Sequence, residues 1–337
     1  MTSTHRQWRL RRRPVGDIGP DDLELVTVPK PVPGPGQILV RTIYLSLDPT
    51  NRIWMSDRPQ YMPPVAIGDV MRGGVVGVVE RSNHPGFAAG DYVRPAVGGW
   101  QEYVVADAAQ KLKVDDAVPL LAHMSAMGMT GATAYFGLLD IGRPQPGETV
   151  VISAAAGAVG SIAGQIAKLK GCRAVGLAGS DDKCRWVTGE LGFDACINYK
   201  TEDVGAALSR ECPSGIDVDF ENVGGPILDE VLARINLNAR VVLCGLISTY
   251  NDDGPVPGPY QFSMILMRRA LVKGFIVSDY AARFREFYAD MGQWLAQGKI
   301  RWRADVVDGI ENAATAVNRL FTGANTGKLV VKVGEER

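Results

Sequence analysis

The sequence predicts an α/β protein in which a doubly wound parallel sheet is joined to a smaller, mostly antiparallel β domain. From residue 148 onward, short runs of β-branched residues alternate with segments of helical periodicity, which is typical of a parallel sheet covered by helices. Residues 1–125 instead combine frequent proline and glycine with short alternating apolar runs, which is typical of irregular antiparallel strands. With 337 residues, the chain is long enough for two such domains.

The chain is organised around residues 148–171, ETVVISAAAGAVGSIAGQIAKLKG. An apolar strand and a helix flank a turn that matches a dinucleotide-binding fingerprint, with Ala155 in place of its first glycine. Gly157 would let the backbone approach a pyrophosphate, Gly160 would let helix and strand pack closely, and the helix N-terminus would present N–H groups to the phosphates. The alternative is a tight strand–helix turn without a ligand. A further strand directly after the helix favours the cofactor site.

The remaining elements are predicted from periodicity and turn residues. Strands are expected in the first region at residues 36–47, 70–82 and 91–106, and in the second at 150–153, 172–178, 195–199, 218–222, 241–246 and 271–277. Helical patterns are at residues 127–139 and 284–295, and a tail has strands at 300–307 and 328–333 around a helix at 313–321. We expect this tail to rejoin the first domain, which gives domains of residues 1–125 and 126–302 and a C-terminal return at 303–337.

Composition excludes several functional classes. The formal net charge of -1 argues against a general nucleic-acid surface, and we interpret the arginines at positions 9 and 11–13 as one charged strand face. No apolar stretch approaches the roughly 18 residues of a membrane helix, and the N-terminus lacks the apolar core of a signal peptide. The five cysteines show no close pairing and are interpreted as thiols of a cytoplasmic enzyme.

The distribution of possible metal ligands disfavours a catalytic zinc. Such a site needs Cys, His or carboxylate ligands that converge from more than one segment. Residues 1–171 contain no cysteine, and the only histidines of the chain are His5, His84 and His123. We therefore expect chemistry without a metal.

Several motifs resemble the medium-chain dehydrogenase/reductase superfamily over nearly the full chain. The segment KPVPGPGQILVR resembles its GroES-like catalytic domain, which would be residues 1–125. The chain is most similar to the zinc-independent, NADP-dependent alkenal/enone reductases, the group of the prostaglandin and leukotriene B4 reductases, plant double-bond reductases and curcumin reductase. The segments that carry this similarity are RQWRLRRRPVG, YLSLDP with Arg52, AAAGAVGSIAGQIAKLKGC, GSDDK, ENVGG, CGLISTYN and GANTGK. Where zinc-dependent relatives carry a metal-binding histidine, this chain has IGDVMRGG.

The resemblance implies a function, an assembly and a cofactor. The function is NADPH-dependent, metal-free reduction of the carbon–carbon double bond of α,β-unsaturated aldehydes and ketones, in a cleft between the two domains. The assembly is a homodimer formed through the edge of the nucleotide-domain sheet. The composition, as noted above, argues against a nucleic-acid or membrane partner. A quinone oxidoreductase of the same superfamily and a non-catalytic NADPH-binding protein are the alternatives.

The choice between NADH and NADPH depends on the end of the second parallel strand. Residue count alone is ambiguous, because Asp181 falls near the position where NAD sites carry an acidic residue. Ser180 and the residues after it also have the pattern of a helix start. In the family that the chain resembles, residues matching Lys183 and Tyr199 hold the 2′-phosphate, which implies NADPH. A strand-end aromatic residue is the alternative for Tyr199.

Together with the glycine turn, the motifs imply a set of cofactor contacts. They are Ala155, Gly157, Ala158, Val159, Gly160, Ser180, Lys183, Tyr199, Asn222, Cys244, Gly245, Leu246, Ile247, Ser248, Thr249, Phe275, Ile276, Val277 and Asn325. The alternatives are a turn cap for Asn222, a core strand for residues 275–277 and an ordinary turn residue for Asn325.

Substrate contacts are expected from two further segments. Tyr250 follows a parallel strand and is the expected hydrogen-bond donor to the substrate oxygen, although it could simply close its loop. Thr50 stands where relatives commonly have a tyrosine, because this chain reads DPTNR where they read DPYMR. With Asn51 it suggests a roomier or more polar pocket. Trp54 and Tyr61 are alternative pocket walls or packed core residues.

Overall fold

The computed structural model describes residues 3–95, 98–108, 112–114, 118–252 and 254–336. They divide into two compact units. The first unit contains Met1–Met124, Tyr250–Asp253 and Ala304–Arg337, and the second contains Ser125–Thr249 and Gly254–Arg303. Two residues of the strand predicted at 91–106, Ala96 and Val97, lie outside the described residues.

Strands and α-helices are numbered here along the described part of the chain. The strands are β1 (Thr4–Leu10), β2 (Leu23–Pro29), β3 (Gln37–Ser46), β4 (Val75–Ser82), β5 (Tyr92–Arg94), β6 (Tyr103–Asp107), β7 (Leu112–Lys113), β8 (Thr149–Ile152), β9 (Arg173–Ala178), β10 (Ala195–Asn198), β11 (Ile216–Glu221), β12 (Ile235–Leu243), β13 (Leu271–Gly274), β14 (Ala304–Asp308) and β15 (Lys328–Lys332). The helices are α1 (Thr50–Met55), α2 (Met129–Phe136), α3 (Gly160–Leu169), α4 (Asp181–Gly189), α5 (Val204–Glu211), α6 (Gly225–Leu232), α7 (Ser263–Met267), α8 (Phe284–Ala296), α9 (Ala313–Ala316) and α10 (Arg319–Thr322). No helix among the described residues combines the length and the apolar composition that crossing a membrane requires.

The first unit is built on a mostly antiparallel sheet, as the alternating runs predict. Its strand order is β14-β15-β3-β4-β5-β7, β6 pairs with β3, and only β14 and β15 are parallel. Strands β1 and β2 form a separate antiparallel pair. The apolar core of this unit is centred on fully buried side chains such as Leu45 and Trp100, and it includes Val331 of the C-terminal stretch.

The second unit contains a six-stranded, fully parallel sheet in the order β10-β9-β8-β11-β12-β13. This order confirms the predicted doubly wound fold. The chain leaves β8 towards β9 and later returns to its other side at β11, so the strand order reverses between them. In open sheets of this kind, ligands bind outside the carboxyl ends of the strands near that reversal.

Some boundaries differ from the sequence prediction for identifiable reasons. Strand β12 begins at Ile235, well before residue 241, where the sequence predicts its start. The predicted start is too late because the first half of the strand contains two asparagines, which are typical of turns. Strand β13 ends at Gly274, so the core strand considered for residues 275–277 was wrong. Helix α2 gives way to a π-helical turn at Gly137–Gly142. The Phe275 ring packs closely against this turn at Gly137, where a Cβ would lie 2.6 Å from the ring.

Candidate active site

The turn between β8 and α3 is so tightly folded that it requires glycine. A Cβ at position 160 would lie 2.4 Å from the carbonyl oxygen of Ala154, and Ala154 itself adopts a left-handed backbone conformation with φ 49°. The Gly157 N–H donates to the same carbonyl over 2.8 Å. Helix α3 can therefore begin directly beside the strand end. Its N-terminus and dipole make this position suitable for an anionic group.

Ala155 occupies the place of the first fingerprint glycine because the neighbouring strand makes room for it. Its N–H donates to the Leu177 carbonyl of β9 over 2.9 Å, and the residue is fully buried. A Cβ on Gly176 of β9 would lie 2.6 Å from the Ala155 methyl group. The space that the fingerprint reserves at position 155 is thus provided by Gly176, a residue that the sequence analysis did not single out.

A buried carboxylate, Glu221, joins the ends of the central strands. Its Oε1 accepts hydrogen bonds from the Ser153 hydroxyl over 2.6 Å and from the Gly224 N–H over 2.9 Å. The Ser153 hydroxyl oxygen in turn accepts from the Asn222 N–H over 2.7 Å, and the Asn222 amide donates to the Ser153 carbonyl over 2.7 Å. Asn222 therefore ties the end of β11 to the end of β8, and its contact with a cofactor stays a prediction. Neither Glu221 nor Ser153 was expected from the sequence, because their contact depends on β8 and β11 being neighbours.

The loops after β11 and β12 are bonded to each other as well. The N–H groups of Cys244 and Gly245 donate to the Glu221 carbonyl over 2.9 and 3.0 Å. The hydroxyl group of Ser248 donates to the carbonyl of Val223 over 2.6 Å. We call residues 153–160, 222–225 and 244–249 the central loops. Their backbone positions are fixed largely by one another.

Burial perturbs several ionisable groups around the central loops. Burial raises the pKa of Glu221, against the opposing effect of its hydrogen bonds from Ser153 and backbone N–H groups. Asp219, two residues earlier on β11, is buried, and neither of its carboxyl oxygens has a hydrogen-bond partner among the described residues. Burial, followed by the Glu221 charge, raises its pKa well above the ordinary value. Burial also raises the pKa of the Cys244 thiol to about 12, so it is not a thiolate at neutral pH.

Two lysines, Lys183 and Lys200, follow the carboxyl ends of β9 and β10 in the parallel sheet. Ser180 caps α4 by accepting a hydrogen bond from the Lys183 N–H over 3.3 Å, so the helix-start interpretation of this segment holds. A Cβ at Gly179 would lie 2.7 Å from the Tyr199 hydroxyl and 3.3 Å from Cε of Lys200. We call residues 179–183 and 199–200 the lysine end. Lys200 was missed in the sequence, although it directly follows a residue that was selected.

The two acidic residues of the lysine end, Asp181 and Asp182, have partners. The Asn198 amide donates to Oδ1 of Asp181 over 2.6 Å, which ties the start of α4 to the end of β10. Asp182 forms an ion pair with Arg185 on the exposed side of the helix. Asp181 thus has a structural contact in the place where an NAD site would use its carboxylate for the ribose.

Most of the predicted cofactor residues lie at the carboxyl ends of the parallel strands. Residues 155–160 follow β8, Ser180 and Lys183 follow β9, Tyr199 follows β10, Asn222 follows β11, residues 244–249 follow β12 and residues 275–277 follow β13. Asn325 belongs to the first unit, where its amide donates to the Gly327 carbonyl over 3.0 Å, as a turn residue would. Its contact with a cofactor stays a prediction.

The three residues expected to line a substrate pocket contact one another in the first unit. The Trp54 indole N–H donates to the Tyr61 hydroxyl over 2.9 Å, and Thr50 also hydrogen-bonds with Tyr61. Burial raises the pKa of Tyr61. The Arg72 guanidinium lies 5.4 Å from the Trp54 ring centroid. Asn51 is fully buried and its amide bonds the backbone of neighbouring segments. Its effect on the size or polarity of a pocket stays a prediction.

Tyr250 is half-buried at the start of the short stretch that belongs to the first unit. The side chain of Asn251 donates to Asp17 Oδ1 over 2.6 Å, and Arg58 donates to the Asp252 carbonyl. These contacts hold the residues directly after Tyr250. Its role as a donor to substrate stays a prediction.

Comparison with known proteins identifies the family. Residues 6–114 match the family described as the N-terminal domain of oxidoreductase, and residues 158–297 match the one described as zinc-binding dehydrogenase. In the described part of the chain, His, Cys, Asp and Glu side chains form no group of three or more that could hold a metal ion.

Full-length relatives give a more specific result. The chain is 45% identical to the NADPH-dependent curcumin reductase of Escherichia coli over 98% of its length and 97% of the relative, and 39% identical to prostaglandin reductase 1 of Bos taurus over 97% and 98%. A crystal structure of CurA in complex with NADPH from Vibrio vulnificus superposes with a TM-score of 0.93 at 46% identity, covering 98% of this chain and all of that one. The chain therefore belongs to the medium-chain dehydrogenase/reductase superfamily, within the group of oxidoreductases that contains the curcumin and prostaglandin reductases.

Proposed function

We propose that this protein is an NADPH-dependent reductase of the carbon–carbon double bond in α,β-unsaturated aldehydes and ketones. The observation that carries the proposal is the similarity over nearly the whole chain to an NADPH-dependent curcumin reductase. It is supported by the arrangement of the second unit, where the fingerprint turn and a lysine-bearing strand end share one edge of a parallel sheet.

The residues present fit an NADPH molecule. The α3 N-terminus beside Gly157 offers N–H groups to the diphosphate, and Lys183 with Tyr199 supplies a cation and a hydroxyl donor for the 2′-phosphate. Lys200 adds a second cation at the same end. The Asn198 amide engages the carboxylate of Asp181, the residue nearest the position where an NAD site carries an acidic residue for the ribose. This hydrogen bond therefore supports NADPH over NADH.

When bound, NADPH supplies a hydride to the carbon β to the substrate carbonyl. The negative charge that develops on the carbonyl oxygen needs a donor, and Tyr250 is the residue to which we assign this role. Thr50, Trp54 and Tyr61 would form a wall of the substrate pocket, and their mutual hydrogen bonds would hold that wall in place.

The reaction needs no metal in this proposal. Support comes from the sequence, because the first 171 residues lack cysteine and the chain has three histidines. Elemental analysis of active protein, together with assays after treatment with a chelator, tests this point. Stoichiometric zinc whose removal abolishes turnover would contradict it.

We also propose a homodimer that forms through β13, which is an edge strand of the parallel sheet. Large apolar side chains are exposed in and just before this strand: Val256, Tyr260, Phe262, Leu266, Met267 and Leu271. Exposed apolar patches rimmed by polar residues are typical of interaction surfaces. Light scattering coupled to size exclusion would give the mass of two chains, and Leu266→Arg would shift it to that of one.

An NADPH-oxidation assay over a panel of alkenals, enones and quinones tests the main proposal. Turnover of alkenals or enones with a reduced double bond in the product is the expected result. Preferential turnover of quinones would favour the quinone oxidoreductase alternative. Tight NADPH binding without oxidation by any of these compounds would favour a non-catalytic binding protein.

A further inference from the structure

Two cysteines, Cys184 and Cys196, meet at the outer edge of the parallel sheet in the second unit. Cys184 lies on α4 and Cys196 on β10, the strand at the end of the sheet. Their thiols are hydrogen-bonded to each other. The sequence does not indicate this pair, because the two residues are too far apart along the chain.

The exposure of this pair differs from that of the buried cysteines. Cys184 and Cys196 are each partly accessible to solvent, as is Cys244, whereas Cys172 and Cys212 are buried. Burial raises the pKa of the thiols of Cys172 and Cys212 to about 11, which makes them poor nucleophiles. A dissolved oxidant can therefore reach the pair more readily than it can reach the other two.

Within the pair, Cys184 is the more acidic thiol. The hydrogen bond from Cys196 lowers the pKa of Cys184, against the opposing effects of burial and of the Asp181 and Glu202 charges. Cys184 is also the fourth residue of α4, near the positive end of the helix dipole. The same hydrogen bond and burial raise the pKa of Cys196, so the pair consists of one attacking and one resolving sulfur.

The pair is connected through short backbone paths to the lysine end. The Cys184 N–H donates to the Ser180 carbonyl over 3.0 Å, and Lys183 is its chain neighbour. Cys196 lies two residues before Asn198, whose side-chain amide donates a hydrogen bond to Asp181. Tyr199 directly follows Asn198. A disulfide needs sulfurs about 2.05 Å apart, closer than two hydrogen-bonded thiols, so its formation would draw the two side chains together and link α4 covalently to β10 beside the lysine end.

We propose that Cys184 and Cys196 form an oxidisable dithiol whose disulfide weakens NADPH binding at the lysine end. The oxidant class is a hydroperoxide. The Cys184 thiolate attacks one peroxide oxygen and the O–O bond breaks. A sulfenic acid forms, and the leaving group is hydroxide from hydrogen peroxide or an alkoxide from an organic hydroperoxide. The Cys196 sulfur then attacks the sulfenic sulfur, the S–O bond breaks, and a disulfide and water form. The two sulfurs lose two electrons in total, and peroxide gains them. The effect on NADPH rests on the proposed function, whereas formation of the disulfide does not.

Hydrogen peroxide and peptide mapping under non-reducing conditions test the disulfide itself. In full-length protein we expect one cross-linked peptide pair that joins Cys184 to Cys196 and disappears on treatment with dithiothreitol. Thiols that remain reduced, or that oxidise separately to sulfinic acids without a cross-link, would overturn the proposal.

NADPH titration of the same samples tests the coupling. We expect affinity about tenfold weaker after oxidation, restored by dithiothreitol. Cys196→Ser should bind NADPH normally and resist this change, while the matched control Cys212→Ala should respond to peroxide like the wild type.

A cross-link with unchanged NADPH affinity would overturn the coupling. Failure of the reduced wild type to bind NADPH would contradict the proposed function and leave the cross-link result to stand separately. The wild-type comparison before and after dithiothreitol does not depend on any variant folding.

Discussion

The central loops and the lysine end of the second unit lie on the same edge of one sheet, yet they are built differently. The central loops are held by backbone contacts and by one buried carboxylate, Glu221, with glycines where a Cβ would collide with main-chain atoms. The lysine end presents side chains, with Lys200 exposed and Lys183 partly buried. The difference supports our proposal that the central loops would control whether a diphosphate can enter, and that the lysine end would control which dinucleotide is preferred.

The largest effect is expected from closing the turn of the central loops. Gly160→Ala places a methyl group 2.4 Å from the Ala154 carbonyl oxygen, so the turn and the start of α3 must shift. We expect NADPH affinity to fall about 100-fold, equal to about 2.7 kcal/mol, in a fluorescence titration. Gly189→Ala in α4, where a Cβ would meet no atom within 4 Å, is the matched control and should bind normally. Equal affinity of both variants would contradict the steric role of the turn.

The next effect tests whether the residues after the central loops serve chemistry instead of cofactor binding. Tyr250→Phe removes one hydroxyl donor while it keeps the ring. We expect enone turnover to fall about 30-fold, less than for a typical oxyanion donor because a ribose hydroxyl of the cofactor can still donate. NADPH affinity should stay within about twofold of the wild type. Unchanged turnover would remove Tyr250 from the mechanism.

A smaller, selective effect is expected at the lysine end. Lys183→Ala removes a cation expected to contact the 2′-phosphate, so NADPH affinity should fall about tenfold while NADH affinity is unchanged. Lys170→Ala, at an exposed position after α3, should change neither affinity. An equal loss for both cofactors would show that the two regions do not divide their tasks as proposed.

The smallest effect concerns the buried acid beneath the central loops. Asp219 has a raised pKa in the folded protein, so the folded state holds a proton that the unfolded state releases above about pH 4. Its contribution to stability is therefore full at low pH and is lost as pH rises from there towards the folded pKa. Asp219→Asn should make the unfolding free energy fall less steeply as pH rises, in urea titrations at several pH values, with Glu221 still present. Parallel pH profiles for variant and wild type would contradict this.

Local patterns were enough to predict the doubly wound sheet, because strand and helix periodicities are properties of neighbouring residues. The family was also recognisable, since several of its motifs occur in the expected order. Contacts across strands were not predictable. The contact of Ser153 with Glu221 depends on which strands adjoin, and the burial of Asn51 depends on the distant Arg72 backbone. The Lys200 side chain could have been noticed as a second cation beside Tyr199.

Ala155 and Gly176 share one small volume between two adjacent strands, and only one of them can carry a methyl group. In this chain the alanine lies in the fingerprint and the glycine in the next strand. Exchanging them in a double variant should therefore preserve the fold that Gly176→Ala alone would disturb. Searches for dinucleotide sites that demand glycine at the first position will overlook such chains unless they treat both positions as a single steric unit.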